Sequence, residues 1–233
     1  MITIMLLTYN RLDVAKITME SVAANLNTPE DVWMHIADDG SSQEYRDELV
    51  ELGRRLYGQQ AVTVTNSQQR RYGGNYNEMT QVVHQITDLV LPLEDDWELV
   101  RPLDIDPIAR VLRDGVFGCV RLGRLSYTHE LKAKFVWAEN LHWLELDPES
   151  EEQHILAGGP RLETVEFERA VGPWPEGLVA GETELMVCGR QEARHGIAWP
   201  VSLILPPEGA FAHIGAVKAD KELAIASASA STV

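Results

Sequence analysis

The sequence carries little that would staple or anchor it. Two cysteines, Cys119 and Cys188, stand in 233 residues, too few for a disulfide framework or a cysteine zinc cluster and compatible with a reducing compartment. No run approaches the ~18 apolar residues that a bilayer-spanning helix needs. The apolar opening, residues 1–7, has no basic region ahead of it and passes straight into Thr8-Tyr9-Asn10-Arg11. It therefore reads as a buried first strand and not as a secretory signal, and the expectation is a cytoplasmic protein without stable membrane insertion. Positive charge is also scarce. Lys and Arg number 20 against 36 Asp and Glu, a formal net charge of −16, and such a surface repels phosphate backbones and anionic lipid. Binding to nucleic acid would need a local basic patch, for which Arg54, Arg55, Arg70 and Arg71 are the candidates. No internal repeat is visible, and residues 224–233 form a Ser/Ala tract without aromatics that reads as a frayed tail.

What is present is an ordinary globular balance. Hydrophobic residues make up 45% and charged residues 24%, which suits one sizeable α/β domain and excludes disorder or a fibrous repeat. The first hundred residues alternate in period. Residues 2–7 form a β-capable run, and Leu12, Ala15, Met19, Val22, Ala23 and Leu26 then recur at helical steps. Residues 32–37, 62–65 and 89–93 repeat the strand signal. Tyr45, Leu49, Leu52 and Leu56 mark a second helix, and Met79, Val82, Val83 and Ile86 a third. This alternation predicts an α/β fold with a Rossmann-like, mostly parallel sheet flanked by helices. Ligands of such sheets bind beyond the carboxyl ends of the strands.

Those ends are polar. The first strand ends in Thr8-Tyr9-Asn10-Arg11 and the second in Asp38-Asp39-Gly40-Ser41-Ser42, which also has the composition of a turn and helix N-cap. The third leads into Arg70-Arg71-Tyr72-Gly73-Gly74-Asn75-Tyr76-Asn77, and the fourth ends in Glu94-Asp95-Asp96. Three adjacent acids closing a buried strand repel one another, and a divalent cation relieves that cost.

In this order and spacing the segments resemble the GT-A glycosyltransferases, specifically the large inverting group called glycosyltransferase family 2. Thr8 to Arg11 resembles the family's nucleotide loop, Asp38 to Ser42 its Asp-Asp-Gly-Ser element, and Glu94-Asp95-Asp96 its Asp-x-Asp metal motif. Val171 to Leu178 is similar to its Gly-Gly-Phe-Asp-Glu segment, Gly181-Glu182-Thr183-Glu184-Leu185 to its Glu-Asp-x-Asp-Leu element, and Phe211-Ala212-His213-Ile214-Gly215 to the stretch that supplies a metal-binding histidine. The likeness runs from about residue 2 to residue 215. It implies a GT-A fold with nucleotide-sugar contacts from Thr8, Tyr9, Asn10, Arg11, Asp38, Asp39, Arg71, Asn77 and Asp95. Asp39 would meet the base, usually uracil, and Asp95 the ribose. Asn77 matches an asparagine that starts the following helix. The metal shell, for Mn²⁺ or Mg²⁺, would be Asp96 and His213 with Glu94 beside them, and Glu182 would be the catalytic base.

The implied chemistry is a hexosyltransferase reaction, a single displacement at an anomeric carbon. The metal neutralises the diphosphate leaving group and the base deprotonates the acceptor hydroxyl on the opposite face. The donor would be a nucleotide sugar, with a glycan, small molecule, protein or modified DNA as acceptor. Residues 1–100 would form the nucleotide-sugar half of one domain, 101–218 the acceptor-binding and catalytic half, and 219–233 a flexible tail. Between residues 123 and 170 the aromatic residues Tyr127, Phe135, Trp137, His142 and Trp143 suit sugar stacking or core packing. Residues 145–153 read as an exposed acidic loop. Two other classes share these features: a sugar nucleotidyltransferase, which would want a glycine-rich basic signature after the first strand, and a non-catalytic nucleotide-sugar-binding protein of the same fold.

Overall fold

A computed structural model describes residues 1–123, 131–152, 155–156, 159–201 and 209–215. The chain opens with β1 (Ile2–Thr8), α1 (Leu12–Asn25), a short β2 (Leu26–Asn27), β3 (Val32–Asp38), α2 (Gln43–Tyr57), β4 (Val62–Asn66), α3 (Arg71–Val83) and β5 (Leu89–Glu94). Next come β6 (Trp97–Leu99), β7 (Leu103–Asp104), α4 (Asp106–Arg113), β8 (Cys119–Arg121), β9 (Ala133–Ala138) and β10 (Leu141–Leu146). The last elements are β11 (Arg161–Thr164), α5 (Val165–Val171), α6 (Ala180–Cys188), β12 (Ile197–Pro200) and β13 (Phe211–His213).

The central sheet has nine strands in the order β4-β3-β1-β5-β11-β8-β12-β10-β9. The pairings make seven of them point the same way, with β11 and β10 reversed. Every residue of β1 is buried, because alternate side chains feed two cores. Ile2, Ile4 and Leu6 pack with residues of α1, α2 and α4 on one face, while Met5 and Leu7 pack with α3, α5 and α6 on the other. That two-sided burial is why a continuous apolar run, and not an alternating one, marks the strand. A β11 pair lies buried beneath α3: Arg161 Nε donates to Glu163 Oε2 at 3.0 Å, and Arg161 Nη2 to the Tyr76 hydroxyl at 2.7 Å. The same guanidinium sits 5.6 Å from the Trp174 ring centroid, so the buried charge is met by a carboxylate, a hydroxyl and two aromatic faces.

Two sequence expectations shift here. The third helix begins at Arg71, not near Asn77 or Met79. Gly73 and Gly74 weaken helix propensity and hide its first two turns, but a Cβ at Gly73 would come within 2.0 Å of the Pro175 carbonyl oxygen. Glycine stands there for a close approach. The supposed acidic loop also divides. Glu145 belongs to β10 and pairs with Lys134 at 3.1 Å, and Glu152 is fully buried. Of the aromatic residues, Trp143 is core, Phe135 and Trp137 are exposed, and Tyr127 and the proposed tail lie outside the described residues. No helix among the described residues is long and apolar enough to cross a membrane.

One core residue gives the fold a pH signature. His35 on β3 is fully buried between the Thr63 and Thr65 hydroxyls of β4, at 2.7 and 3.1 Å. Burial pulls its pKa down to about 4. A depressed folded-state value means that the unfolded chain binds the proton more readily, so this contribution to stability is intact above about pH 6.5 and is lost as pH falls towards 4. Between pH 7 and pH 4 wild type should lose about 3 kcal/mol more than His35→Gln, by denaturant titration at each pH. Parallel losses in the two proteins would refute the assignment.

Candidate active site

The strand register assembles the site. Thr8 lies beside Asp38, and Leu7 beside Glu94, so the loops after β1, β3 and β5 open at one end of the sheet. They surround a cleft of ≈ 480 Å³ whose lining includes Thr8, Tyr9, Asn10, Arg11, Asp39 and Arg71, together with Tyr72, Asn75, Glu94, Asp95 and Ala180. The size suits a nucleotide-sized ligand.

On one wall Asp39 is held by its backbone and one carboxylate oxygen. Its N–H donates to the Thr8 carbonyl at 3.0 Å, and its Oδ2 accepts from the Arg71 N–H at 2.9 Å. Asp39 Oδ1 is buried with no hydrogen-bond partner, and burial raises the pKa of the group. A buried acceptor left open on a cleft wall is what an N–H of a ligand base would satisfy. Asp38 next to it has another task. It is fully buried, accepts from the Ser41 N–H at 2.9 Å and from Arg46 at 3.1 Å, and is absent from the cleft lining. It locks the turn that Ser42 then continues as the N-cap of α2.

The opposite wall is the acid cluster. Asp95 Oδ2 accepts from the Thr8 hydroxyl at 2.8 Å and the Tyr9 N–H at 3.4 Å, and Thr18 fixes its backbone carbonyl at 2.7 Å. Arg11 spans the pair, bonding Asp95 Oδ1 and, at 2.8 Å, Asp96 Oδ2. Burial pushes Glu94 up to about 8, with Glu184, Asp96 and Asp95 adding their negative charge. Asp95 rises to about 6, again through burial and against the pull of Arg11.

His213 reaches this wall from the far end of the chain. Strand β13 pairs with β6, setting His213 opposite Trp97, and the Ile214 N–H donates to the Asp96 carbonyl at 2.8 Å. His213 Nε2 is 3.3 Å from Asp96 Oδ2. The following turn presses so closely that a Cβ at Gly215 would lie 2.3 Å from that oxygen. Among the described residues no set of three or more His, Cys, Asp or Glu side chains is arranged to hold a metal alone. The group present still fits a divalent cation. Asp96 Oδ1 is buried without a partner, a carboxylate oxygen suits Mn²⁺ or Mg²⁺, and an imidazole nitrogen stands beside the other oxygen. The phosphate oxygens of a donor would supply the remaining ligands, the usual habit of Mg²⁺ sites that share a substrate.

Two further sequence candidates occupy different positions. Asn77 is outside the cleft lining. Its Nδ2 donates to the Trp174 carbonyl at 2.9 Å and its Oδ1 accepts from the Trp174 N–H at 2.8 Å. With Arg71 on the Gly177 carbonyl at 2.9 Å and Arg70 on Glu176 at 2.6 Å, it clamps the segment that leads into α6. Glu182 lies in the first turn of α6 and is exposed. Its neighbour Glu184 is half-buried, and its charge is felt at Glu94 and Tyr72 of the cleft. The helix phase explains the contrast. Ala180 lines the cleft, residue 184 follows on the same face, and residue 182 lies about 200° round. Buried Thr183, bonded to the Pro175 carbonyl at 3.3 Å, fixes that phase. Tyr72 and Asn75 are the cleft residues that motif reading passed over, while Glu184 stands in the same Glu182-Thr183-Glu184 motif as the alternative carboxylate.

Comparison with known proteins agrees with this architecture. The family profile described as "Glycosyl transferase family 2" matches residues 3–153. No curated protein matches the sequence. Among solved structures, residues 1–349 of TarS from S. aureus align with a TM-score of 0.61 at 11% identity, covering 85% of this chain and 57% of that one. The mannosyltransferase PcManGT from Pyrobaculum calidifontis, in complex with GDP-Man and Mn²⁺, gives 0.54 at 15% identity, over 88% of this chain and 54% of that one. GalNAc-T7 with UDP, GalNAc and Mn²⁺ gives 0.61 at 14% identity, over 85% and 42%. The chain spans roughly half the length of these structures, all of which share its GT-A fold. It belongs to glycosyl transferase family 2.

Proposed function

We propose that this glycosyltransferase moves a sugar from a UDP-sugar to an acceptor hydroxyl with inversion, using Mn²⁺ or Mg²⁺ at Asp96 and His213. The observation that carries the reading is the pairing, across one cleft, of the open Asp39 oxygen with the buried acid cluster. One wall suits a base and the other a diphosphate-bound cation. The donor choice draws on neighbours whose structures hold UDP, UDP-GlcNAc or UDP with GalNAc. When bound, the metal neutralises charge on the departing diphosphate.

The chain's own residues do the rest. Thr8, Tyr9 and Asp39 receive the nucleoside, Asp95 the ribose, and Arg11 and Arg71 the phosphates. A carboxylate of α6 takes the acceptor proton as the acceptor oxygen bonds the anomeric carbon, whose bond to the phosphate oxygen breaks with its electron pair leaving on the nucleotide. The resemblance puts Glu182 in that role. The helix phase favours Glu184, which shares the cleft face with Ala180. Residues 1–100 supply the donor half and 101–218 the acceptor half, except that the His213 strand returns to the donor half. A thermal-shift and calorimetric screen of nucleotide sugars with and without Mn²⁺ tests the reading. A UDP-sugar should bind, and more tightly with the metal; no nucleotide-sugar response under either condition would overturn it.

Asp39→Ala should weaken donor binding by about 1–3 kcal/mol, the scale for losing a buried hydrogen-bond partner, and leave the fold intact because the residue lies past the end of β3. Calorimetry with UDP measures it. An unchanged dissociation constant would return Asp38-Asp39-Gly40 to being only a turn.

A further inference from the structure

We propose that Arg11 is a positioning residue with two stations: it is the resident countercation of the metal acids in the donor-free enzyme, and it moves to the donor's diphosphate when a divalent cation takes Asp96. Metal and donor then bind as a unit and neither binds well alone. The proposal rests on the metal-dependent reading above.

The local geometry sets the first station. Asp95 and Asp96 side chains are 1% and 7% exposed, while Arg11 is 45% exposed. Two nearly buried carboxylates so close together need positive charge, and the guanidinium fork supplies it to both at once. It takes the Asp95 oxygen that Thr8 and Tyr9 leave free. On Asp96 it takes Oδ2, the oxygen that His213 also approaches at 3.3 Å. A cation entering between Asp96 and His213 must therefore compete with Arg11 for that oxygen.

The backbone permits the second station. Asn10 holds a left-handed conformation at φ 51° and its N–H is fixed by Ser41 Oγ at 3.0 Å, which anchors the turn that leads into α1. Arg11 stands at the N-cap of that helix, where its own side chain makes no capping bond. Its long stem can swing without disturbing the fold, and its side chain already lines the cleft with Arg71. An arginine released from two carboxylates finds in a diphosphate the same bidentate geometry. Thermodynamic reciprocity makes the consequence measurable: if the donor draws Arg11 away, it raises metal affinity, and metal must raise donor affinity by the same factor.

The test is Mn²⁺ binding to the intact protein, followed by electron paramagnetic resonance with and without UDP. In wild type, UDP should tighten Mn²⁺ binding at least tenfold. Arg11→Met should bind Mn²⁺ at least tenfold more tightly than wild type in the absence of UDP. UDP should then tighten it by a smaller factor than in wild type, because the phosphate ligands to the metal remain but there is no Arg11 to displace. Arg11→Lys, which cannot bridge both acids, should fall between them and guards against a folding defect in the first variant. Adding Asp96→Asn to Arg11→Met should abolish the gain. Nucleotide-free Mn²⁺ affinity within twofold of wild type in both Arg11 variants overturns this proposal and leaves the metal reading standing, provided that UDP still tightens Mn²⁺ binding in wild type. If wild type and variants all fail to bind Mn²⁺ with or without UDP, the metal reading falls and takes this one with it.

Discussion

Glu184→Gln should lower sugar transfer by roughly 10²–10⁴-fold, the range for losing a positioned general base, while Glu182→Gln stays within a few-fold of wild type. Both changes keep size and most hydrogen-bonding capacity and remove only the ability to take a proton. They differ in where α6 sends the side chain. Glu184 shares the face of Ala180 and lies close enough to Glu94 to raise its pKa, whereas Glu182 faces solvent with Met186, itself 57% exposed. UDP affinity should hardly change in either variant, because an interaction made with the acceptor in the transition state is absent from donor binding. Steady-state turnover beside UDP calorimetry in the two single mutants decides the matter. The reverse pattern, with Glu182→Gln inactive and Glu184→Gln active, would mean that α6 rotates or unwinds at its first turn when the acceptor binds. Full activity in both would remove α6 from the chemistry.

The same pair shows how far the sequence could be read. Strands β1, β3 and β5 and the loops after them were legible because each is a local statement: a mostly buried apolar run, then a few polar residues. Thr8, Asp39, Asp95 and Asp96 came from such segments; the register of β1 with β3 and β5 brings the first three to one cleft, and Asp96 sits next to Asp95 on the shared Arg11 guanidinium. His213 was visible only through a family resemblance. Nothing local says that a strand at 211–213 will pair with one at 97–99. Asn77 and Asp38 show a related limit. A polar side chain near a strand end can hold a ligand or hold the loop, and what decides is the partner it meets, Trp174 for Asn77 and Ser41 with Arg46 for Asp38. The choice between Glu182 and Glu184 depends on the rotation of α6, which Thr183 fixes against Pro175. Gly73, which lets α3 approach that segment, is also the residue that concealed the start of α3.

Asp96→Ala should separate activity from stability more sharply than any other change at the site. Transfer should fall at least ~100-fold, since such an enzyme gains much of its rate by stabilising the charge that develops on the departing diphosphate. UDP should still bind through Asp39 and the β1 loop, and it should bind equally well with and without Mn²⁺. Stability should move little. Asp96 is a nearly buried acid with one oxygen unpartnered, beside Asp95 and a Glu94 whose pKa its charge helps to raise. Removing it relieves like-charge repulsion, and Arg11 keeps Asp95 as a partner. Against this stands the loss of contact with the Arg11 guanidinium and with the His213 ring. These opposing effects should leave the melting temperature of the metal-free variant within a few degrees of wild type, while the stabilisation that Mn²⁺ gives wild type in the presence of UDP disappears. Calorimetry of UDP binding with and without Mn²⁺, paired with thermal melts of both proteins, tests each part. Metal-independent UDP binding already in wild type would defeat the prediction, and with it the assignment of Asp96 and His213 to a cation.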